Sequence, residues 1–149
     1  MQDLANSLSV LNTVDPVVGA ADTNGTGVDL QGFESAVIVV PTGIEGVTLS
    51  SSVKIDFKLE ESSDNSTFTA VSDNTSVTDG AVDANGIFST LDANGETPQI
   101  SVIGYVGGSR YIRVVADFTG THSTGTPIAA QVIRGTPRHN SDTDSITIR

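Results

Sequence analysis

Apolar and polar residues alternate along much of this chain, and the alternation is sharpest in two stretches. Between Val53 and Glu60, the side chains of Val53, Ile55, Phe57 and Leu59 fall on one side and those of Lys54, Asp56, Lys58 and Glu60 on the other. Between Arg110 and Phe118, Ile112, Val114, Ala116 and Phe118 alternate with Tyr111, Arg113, Val115 and Asp117. Successive side chains of a β-strand point to opposite faces, so each stretch predicts a strand with one apolar face and one decorated face. Two such strands need a common core, which points to sheet packed on sheet. Ala36-Val37-Ile38-Val39-Val40 has another pattern, an unbroken and largely β-branched apolar run closed by Pro41. That pattern is expected of a central strand covered on both sides.

The remaining elements follow from shorter signals. Asp64-Asn65-Ser66 is a turn that joins Val53–Glu61 to Thr67–Val71 as a hairpin. In the polar stretch Ser72–Pro98, the apolar cluster Ile87, Phe88 and Leu91 predicts a short strand near Gly86–Leu91. Ile100–Tyr105, Arg110–Thr119 and Ile128–Gly135 complete the set, the last with Ile128, Ala130 and Val132 opposite Ala129, Gln131 and Ile133. The first 27 residues are expected to be an arm or edge rather than core. Leu4, Leu8, Leu11 and Val14 are spaced like one helical face, and Asp15-Pro16 ends any helix there, which leaves a short helix and a loosely bound arm both open. Asp22-Thr23-Asn24-Gly25 reads as a turn. Beyond Pro137 the chain is polar until Ser145-Ile146-Thr147-Ile148-Arg149, which alternates again and is either a frayed tail or a strand that adds to a sheet edge. Short strands, Gly and Asx turns and almost no helical periodicity predict an all-β, single-domain antiparallel β-sandwich or jelly roll over residues 28–137. Extended segments, 1–27 and 138–149, flank it.

Length and composition narrow the functions. A chain of 149 residues suits one domain with a core of its own, and the absence of cysteine excludes disulfides and thiolate metal sites. The start lacks the basic region and apolar run of a secretory signal, and nothing approaches the roughly 20 apolar residues of a membrane span, so a soluble chain is expected. A formal net charge of -11 argues against nucleic acid as a partner. The charge is uneven, with eight acids and no base from Glu60 to Glu96. Arg110, Arg113, Arg134 and Arg138, with His122 and His139, lie late in the chain beside a single acid, Asp117. An acidic body with a local basic cluster suits head-to-tail contacts between copies or docking on an acidic surface; a merely solvated surface is the alternative.

Catalysis finds little support. Ser109 follows two glycines without forming a nucleophile elbow, and no Gly-rich phosphate loop follows a strand. His122 and His139 fall in loop-like sequence, where surface or turn roles are the expectation. The pattern Asp-x-Asn-Gly recurs at Asp22, Asp83 and Asp92, yet none of the three supplies the ligand spacing of a helix-loop-helix calcium site, and turn chemistry accounts for them. The chain is expected to be no enzyme and to need no cofactor or metal.

Four blocks carry a resemblance: Val28-Asp29-Leu30-Gln31-Gly32-Phe33-Glu34-Ser35-Ala36, then Leu59 through Asp64-Asn65-Ser66-Thr67-Phe68 to Val71, then Gly104 through Gly107-Gly108-Ser109-Arg110-Tyr111 to Val114, and finally Gly120–Pro137 with Arg138-His139. In this order they resemble a group of small tailed-phage virion proteins. The resemblance implies head decoration, or capsid cement, with the protein on the outer face of the capsid, the major capsid protein as partner, and a homotrimer or homodimer on the shell. Under that reading Arg110, Tyr111, Arg113, Arg134, Arg138, Ile146 and Ile148 are candidate contacts to the capsid or between subunits, although the arginines could equally balance local carboxylates. The rivals are a glycan-binding or adhesive β-sandwich, disfavoured by the absence of Trp and the presence of only two Tyr, and a structural protein of the phage neck or tail.

Overall fold

The computed structural model describes residues 7–137. Within them the strands are, in chain order, β1 (Leu8–Gly19), β2 (Thr23–Asn24), β3 (Val28–Asp29), β4 (Phe33–Thr42), β5 (Lys54–Ser62), β6 (Thr69–Ala70), β7 (Val77–Thr78), β8 (Ile87–Leu91), β9 (Gln99–Tyr105), β10 (Tyr111–Thr119) and β11 (Thr126–Pro137). One sheet has the order β1-β11-β4-β9-β7. In the other, β10 and β5 pair at the centre, with β2 and β3 along the outer edge of β10 and β6 and β8 along that of β5. All the pairings are antiparallel, and the fold is the expected all-β sandwich. The described residues include no helix long and apolar enough to cross a membrane.

The alternating patterns place the core. Ile55, Phe57 and Leu59 of β5 and Ile112, Val114 and Ala116 of β10 turn inward and are sealed from water. They meet Ile38 and Val40 of β4, Ile103 and Tyr105 of β9, and Ala130 and Val132 of β11. The β5–β10 register pairs Leu59 with Val114 and Phe57 with Ala116, so like faces coincide. The predicted hairpin is present, with Glu60 opposite Ala70, and the predicted strand in the polar stretch is β8, which pairs with β5.

Leu4 lies outside the described residues, and from Leu8 onward the segment differs from the helical alternative. Leu8–Gly19 is a strand that pairs with β11 along its length, so the sheet begins well before Val28. Register shifts between Asn12 and Val14 and between Val14 and Val17 break the strand's two-residue rhythm. Thr13 and Val14 are consequently both buried, and Pro16, which cannot donate to a ladder, sits in the irregular part of an edge strand. Asp22-Thr23-Asn24-Gly25 is also more than a turn, because Thr23 and Asn24 pair with Ala116 and Val115.

One side of the sandwich is closed by a side chain standing in for a strand. The outer edge of β10 pairs with β3 at Tyr111 and Ile112 and with β2 at Val115 and Ala116, which leaves a gap at Val114. The Val114 N–H donates to Thr13 Oγ1 at 3.1 Å, and Gly25 N–H donates to Val114 O at 2.8 Å. Thr13 Oγ1 in turn donates to Thr26 O at 2.9 Å. A Cβ on Gly25 would run into Thr13 Oγ1 and Val114 O, so only glycine fits this junction between the sheets.

Candidate functional site

The two outer faces of the sandwich are chemically opposite. On the β5–β10 side the decorated positions form ion pairs across and along the ladder. Arg113 meets Glu60 at 2.7 Å, Lys54 meets Asp56 at 2.7 Å, and Lys58 meets Asp117. Thr90 Oγ1 also donates to the Asp56 carboxylate at 2.6 Å. This face is charged and is already paired within the chain.

The arginines predicted as contacts are engaged in the same way. Arg110 grips Asp29 through Nε at 3.0 Å and Nη2 at 2.6 Å and lies over the Tyr111 ring at 5.0 Å. The guanidinium beside it holds the Asp29 carboxyl below its ordinary range. Arg113 stacks on Phe68 at 4.2 Å while bonding Glu60. Arg134 turns inward, with Nη1 donating to Asp29 O at 2.5 Å, Nη2 donating to Ser9 Oγ at 2.7 Å, and its plane over Phe33 at 4.4 Å. It ties β1, β3 and β4 together, and its burial lowers its pKa. Arg110 is the most open of the three, with 47% of its side chain exposed. Arg138, His139, Ile146 and Ile148 lie outside the described residues.

The outer face of the β1-β11-β4-β9 sheet is the opposite case. The registers align Val10, Ile133, Val37 and Gly104 in one row across the four strands, and Asn12, Gln131, Val39 and Val102 in the next. Leu8, Gly135 and Ser35 lie on one side of these rows, and Pro41 with Ile100 on the other. No Asp, Glu, Lys or Arg stands among these outward positions, and the carboxylate bordering them is Asp15, whose Oδ1 accepts from Asn12 Nδ2 at 3.0 Å at the edge strand. Of the apolar ones Val37, Val102 and Ile100 are open to water, at 38%, 43% and 67% exposure, and Val10, Val39 and Ile133 are half-buried. Toward one end the face deepens into a groove of about 600 Å³ walled by Pro16, Val17, Val18, Pro41 and Pro127. The run Ala36–Val40 is therefore the central strand of its sheet, as expected, but within the single chain it is covered on one side only: Ile38 is sealed and Val37 is not.

Other candidates have local explanations. The turn reading of Asp83 stands, since its Oδ1 accepts from the N–H of Asn85 and of Ile87, each at 2.8 Å, and Gly86 follows with φ +78°. Among the described residues no three His or acidic side chains gather as metal ligands. His122 lies between β10 and β11 as expected of a turn residue, but it is buried rather than on the surface: its Nε2 is 3.0 Å from Thr119 O and its ring meets Phe118 edge-on at 4.9 Å. At one end of the sandwich a cleft of about 460 Å³ runs between Leu30–Ala36 and Tyr105–Arg110. The Tyr105 hydroxyl donates to Glu61 and accepts from Ser109 N–H at 3.1 Å. Burial first, and Glu61 second, push the phenol up to about 12.

No family model and no curated protein matches the chain. Among solved structures it is similar to the SPBc2 prophage-derived protein YomS, at 13% identity and a TM-score of 0.46, over 87% of this chain and 93% of that one.

The uncharged face was not singled out from sequence, although a signal for it exists. Residues 4–14, 35–44, 97–109 and 118–133 contain no Asp, Glu, Lys or Arg in a chain that carries 25 of them. Strands β1, β4, β9 and β11 draw most of their length from those four stretches, and the fold assembles them side by side.

Proposed function

We propose that this protein is a structural component of a tailed-phage virion that attaches to the outer surface of the capsid and stabilises it by surface contact, with the major capsid protein as its partner. The observation that supports a contact role is the uncovered, uncharged sheet face. From strand spacing and rise the face measures on the order of 400–500 Å², the size of a monomer's largest surface patch, which is often functional. The resemblance of the ordered blocks from Val28 to His139 supplies the virion setting. The net charge of -11 favours the outside of a shell, because against packaged DNA it would be repelled. In this reading the protein works by surface complementarity rather than chemistry. Arg110, the most open of the arginines that the structure describes, holds Asp29 with about half of its side chain still exposed to a neighbour, and Arg138, Ile146 and Ile148 come after the sandwich in sequence.

Cosedimentation with purified, expanded shells of the phage that carries the gene tests this. Binding that saturates at a fixed ratio to the major capsid protein is expected. Shells that pellet without the protein at any concentration, together with a specific hit on a glycan array, would replace this reading with the adhesive one.

A further inference from the structure

We infer that the uncharged face of the β1-β11-β4-β9 sheet is the contact between two copies of this chain, packed sheet on sheet about a two-fold axis. Charge decides between occupants. Two chains of net charge -11 repel wherever their charged surfaces meet, and this face is where the ladder rows hold no ionised group. Back-to-back packing buries the neutral rows and leaves the ion pairs Arg113–Glu60 and Lys58–Asp117 on the two outer surfaces, a full sandwich away from each other. An acidic or basic partner would gain nothing from a face with no charge to answer it.

Geometry fits a copy equally well. A twisted sheet is matched by another of the same twist, at a separation of about 10 Å and an angle of about 30°. Val39 and Val102 occupy the middle row, and Asn12 and Gln131, whose amides meet at 3.3 Å, form its polar end as a rim would. Two such faces together bury on the order of 1,000 Å², the low end for a specific interface, so a weak pair that forms as concentration rises is expected. The unbroken Ala36–Val40 run is then covered on both sides, as its composition demands. This contact draws on the same uncharged face that supports the shell-binding reading, here given to a second copy, and the test below separates the two.

The test is the mass of the full chain by sedimentation equilibrium, from dilute solution to several hundred micromolar. A shift from 15.3 kDa to twice that value is expected. Val37→Lys and Val102→Lys, each placing a charge in the neutral rows, are expected to weaken association by about tenfold or more, while Thr69→Lys on the opposite sheet leaves it unchanged. Because the chain has no cysteine, Val39→Cys gives a second, fold-independent readout. A short bis-maleimide should join two copies through it and should not join copies carrying Thr69→Cys. A chain that stays monomeric at the highest concentration, or whose dimer ignores both lysines and fails to cross-link through Val39→Cys, overturns the inference. Loss of shell binding by a monomeric wild-type chain on Val37→Lys would likewise overturn it, and would assign the face to the capsid.

Discussion

Replacing Thr13 by valine removes one hydroxyl and keeps the shape, and the structure says where the energy goes. Thr13 is 3% exposed, and its Oγ1 accepts from Val114 N–H and donates to Thr26 O. Valine leaves the Val114 donor buried without a partner, at a cost of about 1–3 kcal/mol, and Thr26 O loses a bond with a net worth of about 1 kcal/mol. The added methyl returns roughly 1 kcal/mol of apolar burial. Thr13→Val should therefore destabilise the fold by about 2 kcal/mol, or lower Tm by about 4–8 °C for a domain of this size. Thr13→Ser keeps both hydrogen bonds and loses one methyl, and should cost only about 1 kcal/mol. Urea unfolding followed by far-UV circular dichroism at one fixed protein concentration measures both variants. If the serine variant proves less stable than the valine variant, the methyl rather than the bridging hydroxyl holds β1 to β10, and the reasoning about the gap at Val114 is wrong.

Three further outcomes follow from other parts of the fold. Tyr105 titrates near 10 when unfolded and near 12 when folded, so its contribution to stability is complete below about pH 10 and is lost as pH rises through 12; pH-dependent urea midpoints should show that loss, and Tyr105→Phe should flatten it. Asp64 is held below its ordinary pKa by the N–H groups of Thr67 and Ser66, and Asp83 by those of Ile87 and Asn85. Their stabilisation is present above the ordinary aspartate value of 3.8 and fades as pH falls below it, so Asp64→Ala with Asp83→Ala should flatten the acid limb of the same curve. Arg134→Lys keeps the charge but cannot reach Asp29 O and Ser9 Oγ together while stacking on Phe33, and should cost about 1–3 kcal/mol in denaturant unfolding.

How much of this was legible depended on whether a local rhythm survived. In β5, β10 and β11 the two-residue alternation is unbroken, and those strands and their inward residues are where the pattern puts them. In β1 the bulges put Thr13 and Val14 inward together, and Leu8 faces out while Leu11 packs on the core, so the helix-like spacing of Leu8, Leu11 and Val14 marks no single face and no local rule restores the register. The late arginines read as a free basic cluster because their acids are remote in sequence. Arg110 finds Asp29 across 81 residues and Arg113 finds Glu60 across 53, pairings that only the topology creates. The Ala36–Val40 run announced a strand with two covered faces, and the single chain covers one. What the run could not reveal was that the strands beside it would be uncharged too.

That missing cover is the centre of the functional reading, and hydroxyl-radical footprinting of the chain in its working assembly measures it directly. Val37, Ile100, Val102 and Ile133 should be shielded several-fold relative to the dilute, monomeric Val37→Lys protein, in which position 37 itself is left out of the comparison. Phe68 on the charged side should label alike in both. Equal labelling of the uncharged rows, with protection confined to the charged side, would mean that the protein meets its neighbours through the wrong sheet for everything proposed above.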